Sequence, residues 1–281
     1  MGRRLRRKVA NVLAALISAL MVILAVIPLF HVLFYVLGKG LSGLSWTFFT
    51  NIPAPTGVPG GGMGNAILGS LILVAIASLV SVPLGIGAGI FLSEWGRGRL
   101  GDLVRWVADM LSGAPSIVVG LFIYSIVVVP MQGFSALSGG LALAVLMMPT
   151  VARSTEQMLR MVPVALREGS LALGANWAQT VWRVVMPAAR RGILTGVMLA
   201  VARVMGETAP LIVTAFGSGF WPSSIFKPIA AVPLQVFVYA ISPYPDWQQQ
   251  AWTGALTLVL IVLVINIVAR VALRDRMGVG R

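Results

Sequence analysis

The chain contains no cysteine, which excludes disulfide bridges, thiol catalysis and cysteine-ligated metal centres. A single histidine, His31, rules out a zinc site built from two histidines on one helix. No phosphate-cradling G-x-x-x-x-G-K-[S/T] loop occurs, so any ATP hydrolysis linked to this chain belongs to another polypeptide. A G-x-S-x-G nucleophile elbow is also missing, and no carboxylate pair outside the apolar segments suggests acid–base hydrolysis; an intramembrane enzyme is not expected. Charge itself is scarce, at 10% of residues. A soluble domain carries about a quarter.

What remains is apolar. Of 281 residues 58% are hydrophobic, the mean hydropathy is +0.93, and the apolar residues fall in blocks longer than the roughly 18 residues that mark a bilayer-crossing helix. Six spans are predicted: about Val9–Leu37, Asn65–Leu92, Leu103–Pro130, Ser135–Arg153, Gly192–Phe216 and Ala251–Leu273. The first is too long for the core of a signal peptide and reads as a retained span. Residues Ser42–Gly64, rich in Gly, Pro, Thr and Asn, read as an external loop. Prolines 28, 83, 115, 149 and 210 lie within the spans and predict bent or broken helices. Gly85 with Gly89, and Gly192 with Gly196, form G-x-x-x-G pairs that permit close helix approach. There is no internal repeat.

The net charge of +13 would suggest nucleic acid in a soluble chain, but here the basic residues flank the spans and report orientation. Eighteen Lys and Arg lie on the side of the two termini, against Lys39 and Lys227 on the other, so both termini are expected in the cytoplasm. The expected setting is the lipid of the cytoplasmic membrane, with no nucleic-acid partner. One basic residue is left over. Arg203 lies 12 residues beyond Arg191, roughly 18 Å along a helix axis and past the middle of the hydrocarbon. Burying it there needs a reason. One is an anionic substrate forked by the guanidinium; the other is an ion pair with Glu207, four residues on. Arg153, at the inner end of the fourth span, can reach the headgroups, and Asp109 faces either an arginine or the inner vestibule.

Between the fourth and fifth spans nearly forty residues form a cytoplasmic loop with structure of its own. Pro163 suits a helix start, the run to Leu173 favours helix, and Gly174 is placed to end it in a left-handed conformation. A second short helix, about Trp177–Met186, is expected to stop at Pro187.

These residues carry a resemblance. Glu168, Gly174 and Pro187, with Val184 and Met186 at the intervening apolar positions, resemble the EAA signature of importer-type ABC permeases, with Gly169 and Ser170 in place of the two alanines. From Asp109 to Arg270, the segments DMLSGAPSIVVGLF, PTVARSTE, GETAPL and WQQQAW resemble the phosphate-specific branch of that family. The resemblance implies an all-α integral membrane protein of six transmembrane helices with the type I importer permease (MetI-like) fold. It implies an N-terminal segment with first helix and external loop (1–64), a permease core (65–273) carrying the coupling loop 156–191, and a short tail (274–281). Glu168, Gly174, Ala175, Asn176 and Pro187 would couple to the ATPase, and Arg153, Arg203 and Glu207 would line the phosphate path. Expected partners are a homologous permease (PstC-like), two ATPase subunits (PstB-like) that hold the ATP and Mg, and an external phosphate-binding protein (PstS-like). The chain itself would bind no cofactor. An importer of sulfate or molybdate is the alternative within the class; a secondary transporter is disfavoured by the missing inverted repeat.

The absence of cysteine makes the topology directly testable. Single cysteines at Asn176 and Ser223 are expected to react with a membrane-impermeant maleimide from opposite sides, Ser223 from outside. Labelling of both from one side would overturn the six-span arrangement.

Overall fold

The computed structural model describes residues 2–55, 58 and 60–274, and their regular structure is helical apart from one isolated β-bridge, Phe216 with Ile229. Helix α1 (Gly2–Leu41) is followed by a short α2 (Trp46–Thr50) and by α3 (Gly64–Glu94). Next come α4 (Arg99–Gly113), α5 (Ser116–Met131) and α6 (Ala136–Arg160). The chain continues through α7 (Val164–Ala172), α8 (Trp177–Met205), α9 (Ala209–Ile212), α10 (Val232–Ala240) and α11 (Pro245–Arg274). Five of these are long and apolar enough to cross a membrane, and the bent pair α4–α5 raises the number to six. The expected tail 274–281 lies outside the described residues beyond Arg274, as do Thr56, Gly57 and Pro59 of the external loop.

Helix α6 is the centre. Of its apolar stretch 67% is buried, against none for α1. The reason is glycine on either side. A Cβ at Gly89 of α3 would lie 2.5 Å from Thr155 Cβ and 2.7 Å from the Ala152 carbonyl oxygen, and one at Gly85 would lie 2.8 Å from Val151 Cβ. On the opposite flank, Gly192 and Gly196 of α8 press against Met158 and Ser154. Both G-x-x-x-G pairs therefore let a neighbour's backbone reach α6, which is how helices associate where lipid removes the hydrophobic incentive. Leu73, Leu143, Met147, Val151, Val201, Val204 and Leu211 fill the layer between them. Helix α1 touches the bundle near its C-terminal end, where Gly40 meets Leu256, Gln249 Nε2 donates to the Lys39 carbonyl (2.7 Å) and Tyr35 packs edge-on to Trp252.

Four expectations change. The third span is not one helix over Leu103–Pro130: α4 and α5 meet at 105°, because Pro115 forces Ala114 into an extended conformation (ψ 137°). Helix α4 leaves Leu100, Leu103, Trp106, Val107 and Met110 exposed at helical spacing, the pattern of a helix lying in the membrane interface. The second loop helix does not stop at Pro187. It runs on into the fifth span, because a π turn at Val181–Val185 precedes the proline and the Met186 N–H bonds to the Val181 carbonyl. The widened turn accommodates a residue that lacks its own donor. A second π turn, Tyr124–Val128, precedes Pro130 in the same way. Finally, the fifth span ends at Met205 rather than Phe216, and α2 interrupts what reads in the sequence as pure loop.

The irregular chain between α9 and α10 stays satisfied by its neighbours. Asn65 Nδ2 donates to the Ser218 carbonyl (2.8 Å), Ser70 Oγ accepts from the Val232 N–H (2.8 Å), and the Ala136 and Leu137 amides donate to the carbonyls of Lys227 and Ile225. Buried backbone needs such partners wherever water is absent, and the Ala136 and Leu137 bonds also cap the first turn of α6.

The α3–α6 contact makes a sharp prediction. Gly89→Leu is expected to overpack the seam, costing about 1–3 kcal/mol or more, and to lower the melting temperature in detergent. Gly87→Leu, where nothing lies within 4 Å of an added Cβ, is expected to be neutral. Equal behaviour of the two would remove the seam as the organising contact.

Candidate functional site

Helix α8 ends in the middle of the bundle. Gly206 caps it, Glu207 and Thr208 are non-helical, and Pro210 sits in the first turn of α9. A Cβ at Gly120 of α5 would lie 2.7 Å from Pro210 Cα, so α5 holds the displaced segment in place. Arg203 lies in the last turn of α8 with its side chain exposed, while Glu207 is half-buried past the helix end. No ion pair joins them. An i,i+4 pair needs a continuous helix, and the break at Gly206 removes it. Among the described residues neither group has an ion-pair partner within 4 Å.

Arg153 stands in a different environment. It lies on α6 beside the Gly196 level of α8, roughly 10 Å from Arg203 along the bundle, toward the face that carries the helix ends at Glu94 and Arg160. Its centre is a carboxylate the sequence reading did not single out. Glu156, with a side chain only 4% exposed, accepts from Arg105 Nε (2.8 Å) and Arg153 Nη1 (3.0 Å), and pairs with Arg160 Nη2 (2.8 Å). Arg153 Nη2 also pairs with Asp109 (3.1 Å), and Arg105 Nη1 with Asp102 (3.1 Å). Asp109 thus faces Arg153. Arg105 Nη2 further donates to the Leu92 carbonyl at the end of α3 (2.9 Å). The cluster locks α3, α4 and α6 at the end of the bundle that carries Glu94 and Arg160. A signal for it existed: Glu156 precedes Arg160 by four residues, the favourable order on a helix.

The loop between α6 and α8 has the expected form of helix, turn and helix. Gly174 holds φ +87°, a conformation L side chains rarely adopt. Asn176 caps α8: its Oδ1 accepts from the Gln179 N–H (2.8 Å) while Gln179 Oε1 accepts from the Asn176 N–H (2.9 Å). Glu168, Gly174 and Asn176 are exposed, Ala175 is half-buried, and Pro187 is exposed on the flank of α8. The turn also projects Leu173, 91% exposed, which sequence reasoning passed over as one more helix-forming leucine. Behind it Gly169, Ser170 and Ala175 line a groove of about 480 Å³. The structure therefore gathers the five loop residues into one projecting element, or onto the helix continuing from it, and keeps Arg203 apart from Arg153.

No group of His, Asp and Glu among the described residues could hold a metal ion. Crossing helices, one of them broken where an exposed cation stands, define a multi-pass membrane protein, and comparison with known proteins narrows the class. The chain belongs to the family described as binding-protein-dependent transport system inner membrane component, whose model matches residues 81–274, and within it to the PstA permeases. It is similar to the phosphate transport system permease protein PstA of Yersinia pestis, with 46% identity over 241 residues, 85% of this chain and 82% of that protein. It is 38% identical over 252 residues to the probable phosphate transport system permease protein PstA of Methanocaldococcus jannaschii, covering 88% of each. Among solved structures, a chain of the MetNI methionine ABC transporter in an inward-facing conformation matches at TM-score 0.63 and 18% identity, covering 76% of this chain and 96% of that one. This last likeness carries the MetI-like fold alone.

The Glu156 cluster yields a stability prediction. Glu156→Ala leaves Arg105, 19% exposed, with Asp102 and the Leu92 carbonyl alone, and loss of one partner of a buried charged hydrogen bond costs about 1–3 kcal/mol. A marked fall in detergent melting temperature and in folded yield is expected; an unchanged melting temperature would reduce the cluster to a surface feature.

Proposed function

We propose that this chain is the permease subunit through which inorganic phosphate crosses the cytoplasmic membrane, with both termini in the cytoplasm. A homologous permease would complete the pore, two ATPase subunits would bind ATP and Mg, and an external binding protein would deliver the anion. The observation that carries the reading is Arg203: a guanidinium in the last turn of a candidate membrane span, exposed on its own chain and without an ion-pair partner among the described residues. Placing it there costs about 2.5–3.5 kcal/mol even on lenient insertion scales. A tetrahedral oxyanion offsets that cost, because two of its oxygens match the two parallel N–H bonds of the fork and the charge is never lost by deprotonation. Glu207, half-buried just past the break, would add a negative charge beside the path that speeds release of an anion.

Arg153 would serve later along the same route, at the inner mouth, where Glu156 already orients it. The hairpin supports coupling to an ATPase. Glu168 and Asn176 offer polar contacts and Leu173 an apolar knob. Gly174 and Ala175 keep the turn narrow, and Pro187 with its π turn continues the hairpin into α8. The chain is a pore component; hydrolysis would occur on the partner. The curated relatives named for phosphate transport favour phosphate over sulfate or molybdate.

The test is radiolabelled phosphate uptake in cells lacking their own high-affinity importer, with the partner subunits co-expressed and membrane abundance checked. Arg203→Gln is expected to lower uptake at least about tenfold, the worth of a charge-assisted bond, while assembly survives. Arg203→Lys recovers it only in part, since a point donor replaces the fork. The double change Arg203→Gln with Glu207→Gln stays inactive. Near-normal uptake in Arg203→Gln, full rescue in the double variant, or uptake that follows sulfate instead would overturn this reading.

A further inference from the structure

The second arm of the hairpin packs into the bundle through Val181 and Val185, which share a buried cluster with Ile90 and Leu159, but the first arm, α7, stands off across a cavity of about 650 Å³ lined by Glu94, Arg97, Arg160, Val162, Arg167 and Trp177 among others. No residue of α7 is buried. One side chain bridges the gap. Arg167 of α7 forms an ion pair through Nη1 with Glu94, the last residue of α3, and its Nη2 donates to the Leu159 carbonyl near the end of α6 (2.8 Å). Both groups are withdrawn from solvent, Glu94 to 1% exposure and Arg167 to 13%. The other side-chain bond of α7, Ser170 Oγ with Thr180 Oγ1 (2.9 Å), ties it only to α8. Among the described residues, Arg167 therefore supplies every side-chain hydrogen bond and ion pair between α7 and the helices α3 and α6.

We propose that the Arg167–Glu94 pair is the rivet that makes α3 follow the hairpin, so that motion imposed on the hairpin reaches both helices packed against α6 rather than α8 alone. The proposal rests on the reading of the hairpin as the ATPase-docking element. Burial decides its strength. An exposed ion pair would break and re-form in water at little cost, whereas separating two desolvated charges leaves each unpaired in a poor solvent, so the joint resists opening. Arg167 also grips two helix ends with one planar fork, which a lysine point charge does not reproduce. The load continues inward. Two residues before Glu94, the Leu92 carbonyl accepts from Arg105 (2.9 Å) and Arg160 (3.4 Å), and both arginines are paired with Glu156, the carboxylate that orients Arg153. A shift of the α3 end thus moves the groups that hold the inner arginine. Arg167 and Glu94 are positioning residues in this scheme and touch no phosphate.

The experiment uses the complete complex in proteoliposomes, with phosphate as the probe. It measures phosphate uptake and ATP hydrolysis, each with and without phosphate-loaded binding protein. Arg167→Gln and Glu94→Gln are expected to assemble and to keep unstimulated hydrolysis within about twofold, while maximal uptake falls at least about tenfold and the KM for phosphate moves less than about twofold. The paired apolar change Arg167→Leu with Glu94→Leu is read alongside, since replacing both members of a buried pair by apolar groups often restores stability. It is expected to recover the melting temperature and leave uptake low. Recovery of uptake together with stability in that variant would make the pair merely structural and overturn the proposal, as would unstimulated and stimulated rates equal to wild type in the single variants. Absence of phosphate-dependent stimulation in the wild-type complex strikes the transport reading instead; a responsive wild type with equally responsive variants strikes only the rivet.

Discussion

Close backbone contact along α6 is the constraint on which the rest of the molecule depends. In hydrocarbon, helices gain nothing by leaving lipid for one another unless they pack more tightly than lipid does. Gly85 and Gly89 supply that on one flank, Gly192 and Gly196 on the other. With α3 and α8 seated, the remaining pieces have surfaces to lean on. The broken end of α8 rests on α5 through Pro210 and Gly120, and the irregular strand of chain before α10 is stitched to α3 and α6 by Asn65, Ser70 and the amides that open α6. Unwound backbone at this depth is possible only because the packed trio provides its hydrogen bonds.

Against that frame the two arginines of interest are treated in opposite ways. Arg153 is held between a buried carboxylate and a half-exposed one, with its direction fixed by Glu156. Among the described residues Arg203 has no acidic neighbour in contact, and it stands at a helix end that the fold interrupts. A cation that is oriented but neutralised suits transient, exchangeable contact. One that is bare suits attraction of an anion from a distance. The difference arises from where each helix continues: α6 runs through Arg153 and brings Glu156 up beneath it, whereas α8 stops before Glu207 can come round to the same face.

Much of this was legible in the residues themselves. Long apolar blocks reported the crossings, and Pro163 with Gly174 reported the hairpin, because a start residue and a left-handed stop act locally. Interior prolines were ambiguous, since the outcome depends on neighbours. Pro28, Pro83 and Pro149 stay within helices, Pro187 is absorbed by a π turn, and Pro115 and Pro210 accompany true breaks. The bend before α5 was masked by continuous hydrophobicity, although Arg99, Asp102, Arg105 and Asp109 along α4 already mark a polar face. Pairings such as Glu94 with Arg167 join positions 73 apart in the chain, and no spacing rule reaches that far.

The continuity of α8 past Pro187 has a mechanical meaning. From Trp177 to Arg203 it is a single rod of 27 residues, about 39 Å long at 1.5 Å per residue, with the hairpin turn at one tip and the exposed guanidinium at the other. Gly192 and Gly196 press against α6 partway along, where a fulcrum would sit. A lever pivoted there needs a tilt of only about 5° to carry its inner and outer tips past each other by roughly 3 Å over that length, a displacement comparable to a hydrogen bond. A helix that stopped at the proline, as its residues first suggest, would have been two hinged pieces and would have lost that stroke at the joint.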